Sequence, residues 1–238
     1  MSKADFSGKT VVLTGVGRAG QVGEIVARAF TEAGSRLALI DRDDQVNARV
    51  DDLVRLGGTA TAHLCDLTNP DEVAATADRI GAGAEGSIAA LVNLAGGFAM
   101  SGAVADSDPA VLHKQIAINL TTAYLATRAF LPFLRQGKGS VVYFASASVL
   151  PDGSSKNMSG YAIAKAGVLA LMRSVAAEEI GTGVRANAIA PTQIRTAQNV
   201  AGMGDDAAYV EREAVAEAVV FLCSAGSRHI TGQTIKLQ

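Results

Sequence analysis

The chain has 238 residues, 49% of them hydrophobic and 18% charged, with aromatic residues at only 5%; a core of Ala, Val, Ile and Leu suits close-packed helices on a buried parallel sheet, and one large domain over residues 1–238 absorbs this length. A formal net charge of −2 excludes a basic field for nucleic acid and a polybasic patch for an anionic membrane, which directs the reading to small-molecule chemistry. Residues 1–9 lack the apolar stretch of a signal peptide and no later segment is expected to reach bilayer-spanning apolar length, so a cytoplasmic protein without a membrane partner is expected.

Short β-rich apolar runs alternate with helical patterns along the whole chain, the pattern of a parallel sheet with helices on both faces. Thr10–Thr14 reads as the first strand, and a helix from about Val22 to Ala33, stopped by Gly34, leads to a second strand, Ser35–Ile40. Val46, Val50, Leu53 and Val54 repeat at helical spacing before a third strand, Thr59–Cys65. Asn69-Pro70-Asp71-Glu72 carries a cap residue, a first-turn proline and a capping-box acid, so a helix starts there. Asp108-Pro109 repeats that signal for one long helix toward Leu134. Ile88–Leu94, Ser140–Ala145, Val184–Ile189 and Gln233–Leu237 complete seven strands, and right-handed crossovers then wind the sheet outward in both directions from the first.

Thr14-Gly-Val-Gly-Arg-Ala-Gly-Gln-Val-Gly23 follows a strand and opens a helix, the context of a dinucleotide-binding loop, although it also reads as a plain strand-to-helix turn. Asp41, just past the second strand, suits acceptance of hydrogen bonds from adenosine ribose hydroxyls and would repel a 2′-phosphate, which favours NAD(H) over NADP(H). Asp43 and Asp44 read instead as caps of the following helix, and Arg18 and Arg42 are cations that would suit the extra phosphate of NADP. Tyr161 and Lys165 stand one helical turn apart, where an ammonium is expected to lower a phenol pKa toward general acid/base use. Cys65 and Cys223 read as buried apolar residues, and His63, His113 and His229 as structural; neither a disulfide nor a metal is expected.

From Lys9 to Gln233 these pieces, with Asp66-Leu67, Asn93-Leu-Ala-Gly96, Asn119, a serine ending the fifth strand, Pro191 and Ile230-Thr-Gly-Gln233, resemble in order and placement the short-chain dehydrogenase/reductase family, similar to its 3-oxoacyl carrier-protein reductase-like members. The resemblance implies a doubly wound Rossmann-type α/β sheet that transfers a hydride between a nicotinamide cofactor and an alcohol or carbonyl. It assigns catalysis to Asn119, Ser146, Tyr161 and Lys165, with Tyr161 as proton donor in reduction and Asn119 holding a relay water. Ser146 follows from alignment to the strand end; Ser148, nearer the usual gap to Tyr161, would face substrate beside Ser146 and Tyr161. Cofactor contacts fall to Gly15, Gly17, Gly20, Val22, Gly23, Asp41, Asp66, Leu67, Asn93, Ala95, Gly96, Tyr161, Lys165, Pro191, Ile194 and Thr196. Asn93, like Asn187, also has a purely structural reading.

Three departures accompany the resemblance. Gly15 to Gly23 spans two residues more than the family's glycine loop, leaving Gly17 or Gly20 for its middle role; the covering segment between Thr196 and Glu213 is short; and the chain stops at Gln238 without the usual glycine-containing tail. These motivate two alternatives, an enoyl-type double-bond reductase and a low-turnover cofactor-binding scaffold. A homotetramer or homodimer is expected from the resemblance, with the alanine-rich helix of Tyr161–Ile180 available for close packing.

Overall fold

A computed structural model describes residues 4–238, so the reading of the first nine residues falls partly outside the described residues. Seven parallel strands form one sheet in the order β3-β2-β1-β4-β5-β6-β7: β1 Thr10–Thr14, β2 Arg36–Asp41, β3 Thr59–Leu64, β4 Ala90–Asn93, β5 Ser140–Phe144, β6 Arg185–Pro191 and β7 Thr234–Leu237. The helices are α1 Val22–Glu32, α2 Gln45–Arg55, α3 Pro70–Gly83, α4 Pro109–Ile116, α5 Thr122–Gly137, α6 Ser159–Glu178, α7 Ala197–Met203 and α8 Arg212–Cys223.

Alternation along the strands divides the core. Val12, Ile40, Leu91 and Val141 face Phe130, Leu134 and Met172 on one side, while Val11, Leu13 and Leu39 face Phe30, Val219 and Leu222 on the other. Each such side chain, fully withdrawn from water, contributes about 1.5–3 kcal/mol relative to exposure. Strand β1 pairs with β2 through Thr14↔Ile40 and with β4 through Thr14↔Asn93. The chain leaves these two neighbours in opposite directions, so a crevice opens at their carboxyl ends. Thr14 holds that crevice: its Oγ1 accepts from the N–H groups of Leu94 and Ala95 at 3.1 and 3.2 Å.

Three expectations are corrected. The helix beginning at Asp108 is not uniform: a π turn over Ala117–Thr121 separates α4 from α5, a widening of the kind that recurs at functional sites. Helix α6, at 20 residues, is long and apolar enough by composition to cross a membrane. It nevertheless packs Val168, Leu169, Met172 and Val175 into the core beside β5 and β6, as the core helix of a doubly wound sheet does. Asp43 caps α2 by accepting from Gln45 N–H at 3.0 Å, whereas Asp44, already helical in backbone, makes no side-chain cap bond.

Candidate active site

A cleft of about 540 Å3 lies over the carboxyl ends of β1 and β4. Its floor is the glycine loop. Gly15 sits at φ +73°, and a Cβ there would lie 2.5 Å from Ala95 Cα, so only glycine lets the two strand ends approach. At Gly23 a Cβ would meet Val16 Cγ1 at 2.8 Å, which ties the start of α1 against the loop. Gly17 N–H donates to Asp41 Oδ2 at 2.8 Å, and Gly20 N–H donates to Glu24 Oε2 at 2.6 Å. The two extra loop residues are thus held from both ends, with Gly17 behind Asp41 and Gly20 behind α1.

Asp41 ends β2 rather than following it. Its other oxygen accepts from Asp43 N–H at 3.1 Å, leaving lone pairs for a further donor. Asp66 accepts from Thr68 N–H and Oγ1 at 2.9 and 2.7 Å; these bonds, with Arg42 nearby, hold its carboxyl below the usual range. Of the expected contacts, Gly15, Val22, Gly23, Asp41, Asp66, Leu67, Ala95 and Gly96 line the cleft, as do Arg18 and Arg42.

The reacting groups stand around Gly96, where a Cβ would lie 2.5 Å from Asn119 Oδ1 and 3.6 Å from Lys165 Nζ. The π turn carries Asn119 inward, 1% exposed. Ser146, expected to end the fifth strand, lies two residues beyond β5, where it caps a short 3-10 turn over Ala147–Val149 and shares a hydrogen bond with Ser148 Oγ at 2.9 Å. Lys165 is 7% exposed and donates from Nζ to Phe144 O at 2.8 Å, and burial lowers its pKa to about 8. The expected lowering of the tyrosine is corrected: burial pushes the Tyr161 phenol above its ordinary value, and the Ser146 hydroxyl draws it partly back. Lys165 Nζ, donating to Phe144 O, lies 5.7 Å from the Tyr161 ring, and burial sets the sign of the phenol's shift. Phe98 covers the same ring edge to face, at 5.1 Å between centroids.

Eight of the sixteen expected cofactor contacts, Gly17, Gly20, Asn93, Tyr161, Lys165, Pro191, Ile194 and Thr196, do not line the cleft. Asn93 points into the core, donating to Thr127 Oγ1 at 3.3 Å; Pro191 closes β6 as a buried residue. Ile194 is tied by a bridge to Val210, and Thr196 turns its hydroxyl to cap α7 at Asn199 N–H, 3.1 Å away. The short covering segment instead meets the glycine loop, Ala197 N–H donating to Gly20 O at 3.2 Å. Phe98, Lys114, Gln115 and Gln198 line the cleft without having been singled out from sequence. Phe98, in the loop after β4, and Gln115, in the last turn of α4, carried no motif.

A family model described as enoyl-(acyl carrier protein) reductase matches residues 15–237. The chain is 32% identical over 245 residues to 2-(S)-hydroxypropyl-CoM dehydrogenase 3 of Xanthobacter autotrophicus, covering 94% of this chain and 92% of that protein. Among solved structures, a short-chain type dehydrogenase/reductase from Mycobacterium ulcerans superposes with TM-score 0.89 at 26% identity, over 98% of this chain and 89% of that one. A protein described as an NAD(P)-dependent gluconate 5-dehydrogenase from Beutenbergia cavernae, with NADP bound, gives TM-score 0.88 at 27% identity over 99% and 97% of the two chains.

Proposed function

The chain belongs to the short-chain dehydrogenase/reductase family of NAD(P)-dependent oxidoreductases, and from that premise we propose that it interconverts an alcohol and a carbonyl with NAD(H), using Tyr161 as general acid/base. The observation that carries this reading is a Tyr161 phenol whose pKa the neighbouring Ser146 hydroxyl draws down, with the buried Lys165 Nζ 5.7 Å from its ring. A carbonyl oxygen placed there accepts from both Ser146 and Tyr161, and the phenol proton passes to that oxygen as the carbon is reduced. In the reverse direction the alcohol proton returns to Tyr161. The dinucleotide supplies or accepts the hydride when bound. The residues present fit such a group: the glycines leave backbone-lined space, and Asp41 keeps acceptor capacity at the end of β2. Lys165 and Asn119 flank Gly96, where they would hold the cofactor and a proton path.

Preference for NAD(H) is supported by Asp41 and by the commitments of the two cleft arginines. Arg18 reaches Gln198 Oε1 at 3.4 Å, and Arg42 lies near the Asp66 carboxylate. Double-bond reduction is favoured by the description of the matching family model, but a serine hydroxyl beside the Tyr161 phenol suits donation to a carbonyl oxygen better. The same reading places one catalytic domain over the whole chain in the cytoplasm. A homodimer or homotetramer goes with it, the exposed Tyr124 of α5 and Ile163 of α6 offering apolar surface to a second copy.

Fluorescence titration with NADH and NADPH, repeated on Tyr161→Phe, tests the proposal. Tighter NADH binding is expected, with cofactor affinity kept and turnover reduced on the order of 10²-fold or more in the variant. Undiminished turnover would remove Tyr161 from the mechanism, tighter NADPH binding would move the ribose role to Arg18 or Arg42, and cofactor binding without any turnover would select the scaffold.

A further inference from the structure

Gln115, in the last turn of α4, is a polar residue only 1% exposed, yet it lines the cleft. Its orientation follows from a chain of hydrogen bonds in which each step has one chemical solution. Gly97 N–H, which can only donate, points to Asn119 Oδ1 at 3.2 Å. That fixes the Asn119 carboxamide and turns Nδ2 the other way, 3.0 Å from Gly97 O, 3.1 Å from Gln115 O and 3.1 Å from Gln115 Oε1. Nδ2 can only donate as well, so Gln115 must present its oxygen to Asn119 and hold its amide nitrogen away. Among the described residues that nitrogen meets no protein acceptor, and it is not among the polar atoms sealed inside the protein. The result is a rigid amide donor, withdrawn from bulk water, facing a cleft.

We propose that Gln115 is a cofactor-binding residue, its Nε2 donating to a ribose or phosphate oxygen of the nicotinamide dinucleotide. The assignment rests on the reading that the cleft takes such a dinucleotide, and it adds a contact beside Asn119. It also gives the π turn a second consequence: by carrying Asn119 inward, the turn sets both the catalytic amide and, through it, the donor direction of Gln115.

Binding of NADH to the wild type, Gln115→Glu and Gln115→Met tests this, with melting temperature as the control for folding. Glutamate keeps an acceptor for Asn119 but sets a carboxylate where the donor was. At pH 8 it is expected to weaken NADH binding by about tenfold or more, and binding is expected to recover toward pH 5 as the carboxyl takes a proton and donates again. The wild type should show no such recovery, and Gln115→Met should lose about 2- to 10-fold at every pH. Wild-type affinity in Gln115→Glu at both pH values overturns the assignment and leaves Gln115 only a support for Asn119. If Gln115→Glu does not fold, Gln115→Met alone decides: wild-type NADH affinity in the folded Met variant overturns the assignment, and a loss of about 2- to 10-fold at unchanged melting temperature supports it. A wild type that binds neither NADH nor NADPH removes the dinucleotide reading itself, a failure distinct from an unaffected Gln115 variant.

Discussion

Lys165 holds an ammonium group where solvent hardly reaches, with one backbone carbonyl, Phe144 O, as its hydrogen-bond partner. Burial brings its pKa from 10.5 to about 8, so the folded chain binds this proton less tightly than the unfolded chain does. Below about pH 8 both states carry the proton and folding bears the full cost of burying the charge; between 8 and 10.5 the folded state releases it first; above 10.5 the cost is gone. Stability of the wild type relative to Lys165→Met is therefore expected to rise between pH 7 and pH 10.5, by about 3 kcal/mol at most, and urea melts at several pH values measure it. A difference that stays flat over this range would mean that the lysine is better solvated than its burial indicates. Tyr161 follows the same physics with opposite charge type: burial disfavours phenolate, so in the cofactor-free chain it is a phenol at neutral pH, the form that donates in reduction.

At the start of α3, Asn69 Oδ1 accepts from the N–H groups of Asp71 and Glu72 at 3.1 and 3.4 Å, while its Nδ2 donates to Glu72 Oε1 at 2.9 Å. Glu72 Oε2 reaches on to Asp66 N–H, also at 2.9 Å, so the cap is joined to the edge of the cleft. Asn69→Ala is expected to cost about 1 kcal/mol of stability, read as a lowered urea midpoint at unchanged slope. This start was legible because Asn, Pro and Glu act through local geometry, as were the seven strands, whose apolar runs mark them to within two residues. The π turn was not: Ile116, Leu120 and Ala123 continue an ordinary helical spacing, and what opens the turn is the bonding of Asn119 to Gly97, a residue of a different element. The sign of the Tyr161 shift was hidden for a related reason, since sequence places Lys165 one turn away but cannot show its Nζ turned to β5. Gln115 reads from sequence as a helix-surface residue, and only the fold encloses it.

Across the whole molecule, the candidate site gathers at the carboxyl ends of the strands, where the π turn brings Asn119 and α6 brings Tyr161 and Lys165 beside Gly96, and the opposite ends are left to hold the helices together. There Arg135, in the last turn of α5, meets Glu179, just beyond α6: Nε donates to Oε2 at 2.9 Å and the second nitrogen to Oε1 at 2.5 Å, while Thr182 Oγ1 donates to Oε2 at 2.8 Å. The carboxylate side chain is 1% exposed and the arginine 52%, so losing the arginine strands a buried charge while losing the carboxylate frees an exposed one. The pair holds the Glu179 carboxyl below its ordinary value, chiefly through the arginine bonds. Its contribution is present above the unfolded carboxylate pKa and is lost as pH falls through the lower folded value. Arg135→Ala is expected to cost about 2–3 kcal/mol at pH 7, less than a pair buried on both sides. The cost should shrink in acid as Glu179 takes a proton in either protein. NADH affinity at pH 7 should be unchanged in the folded variant, because the pair lies at the far end of the strands from the cleft. Equilibrium unfolding across pH, with a cofactor titration on the same samples, separates the two edges. An Arg135→Ala protein that loses affinity while folded would show that the Arg135–Glu179 pair reaches along α5 and α6 to Asn119 and Tyr161.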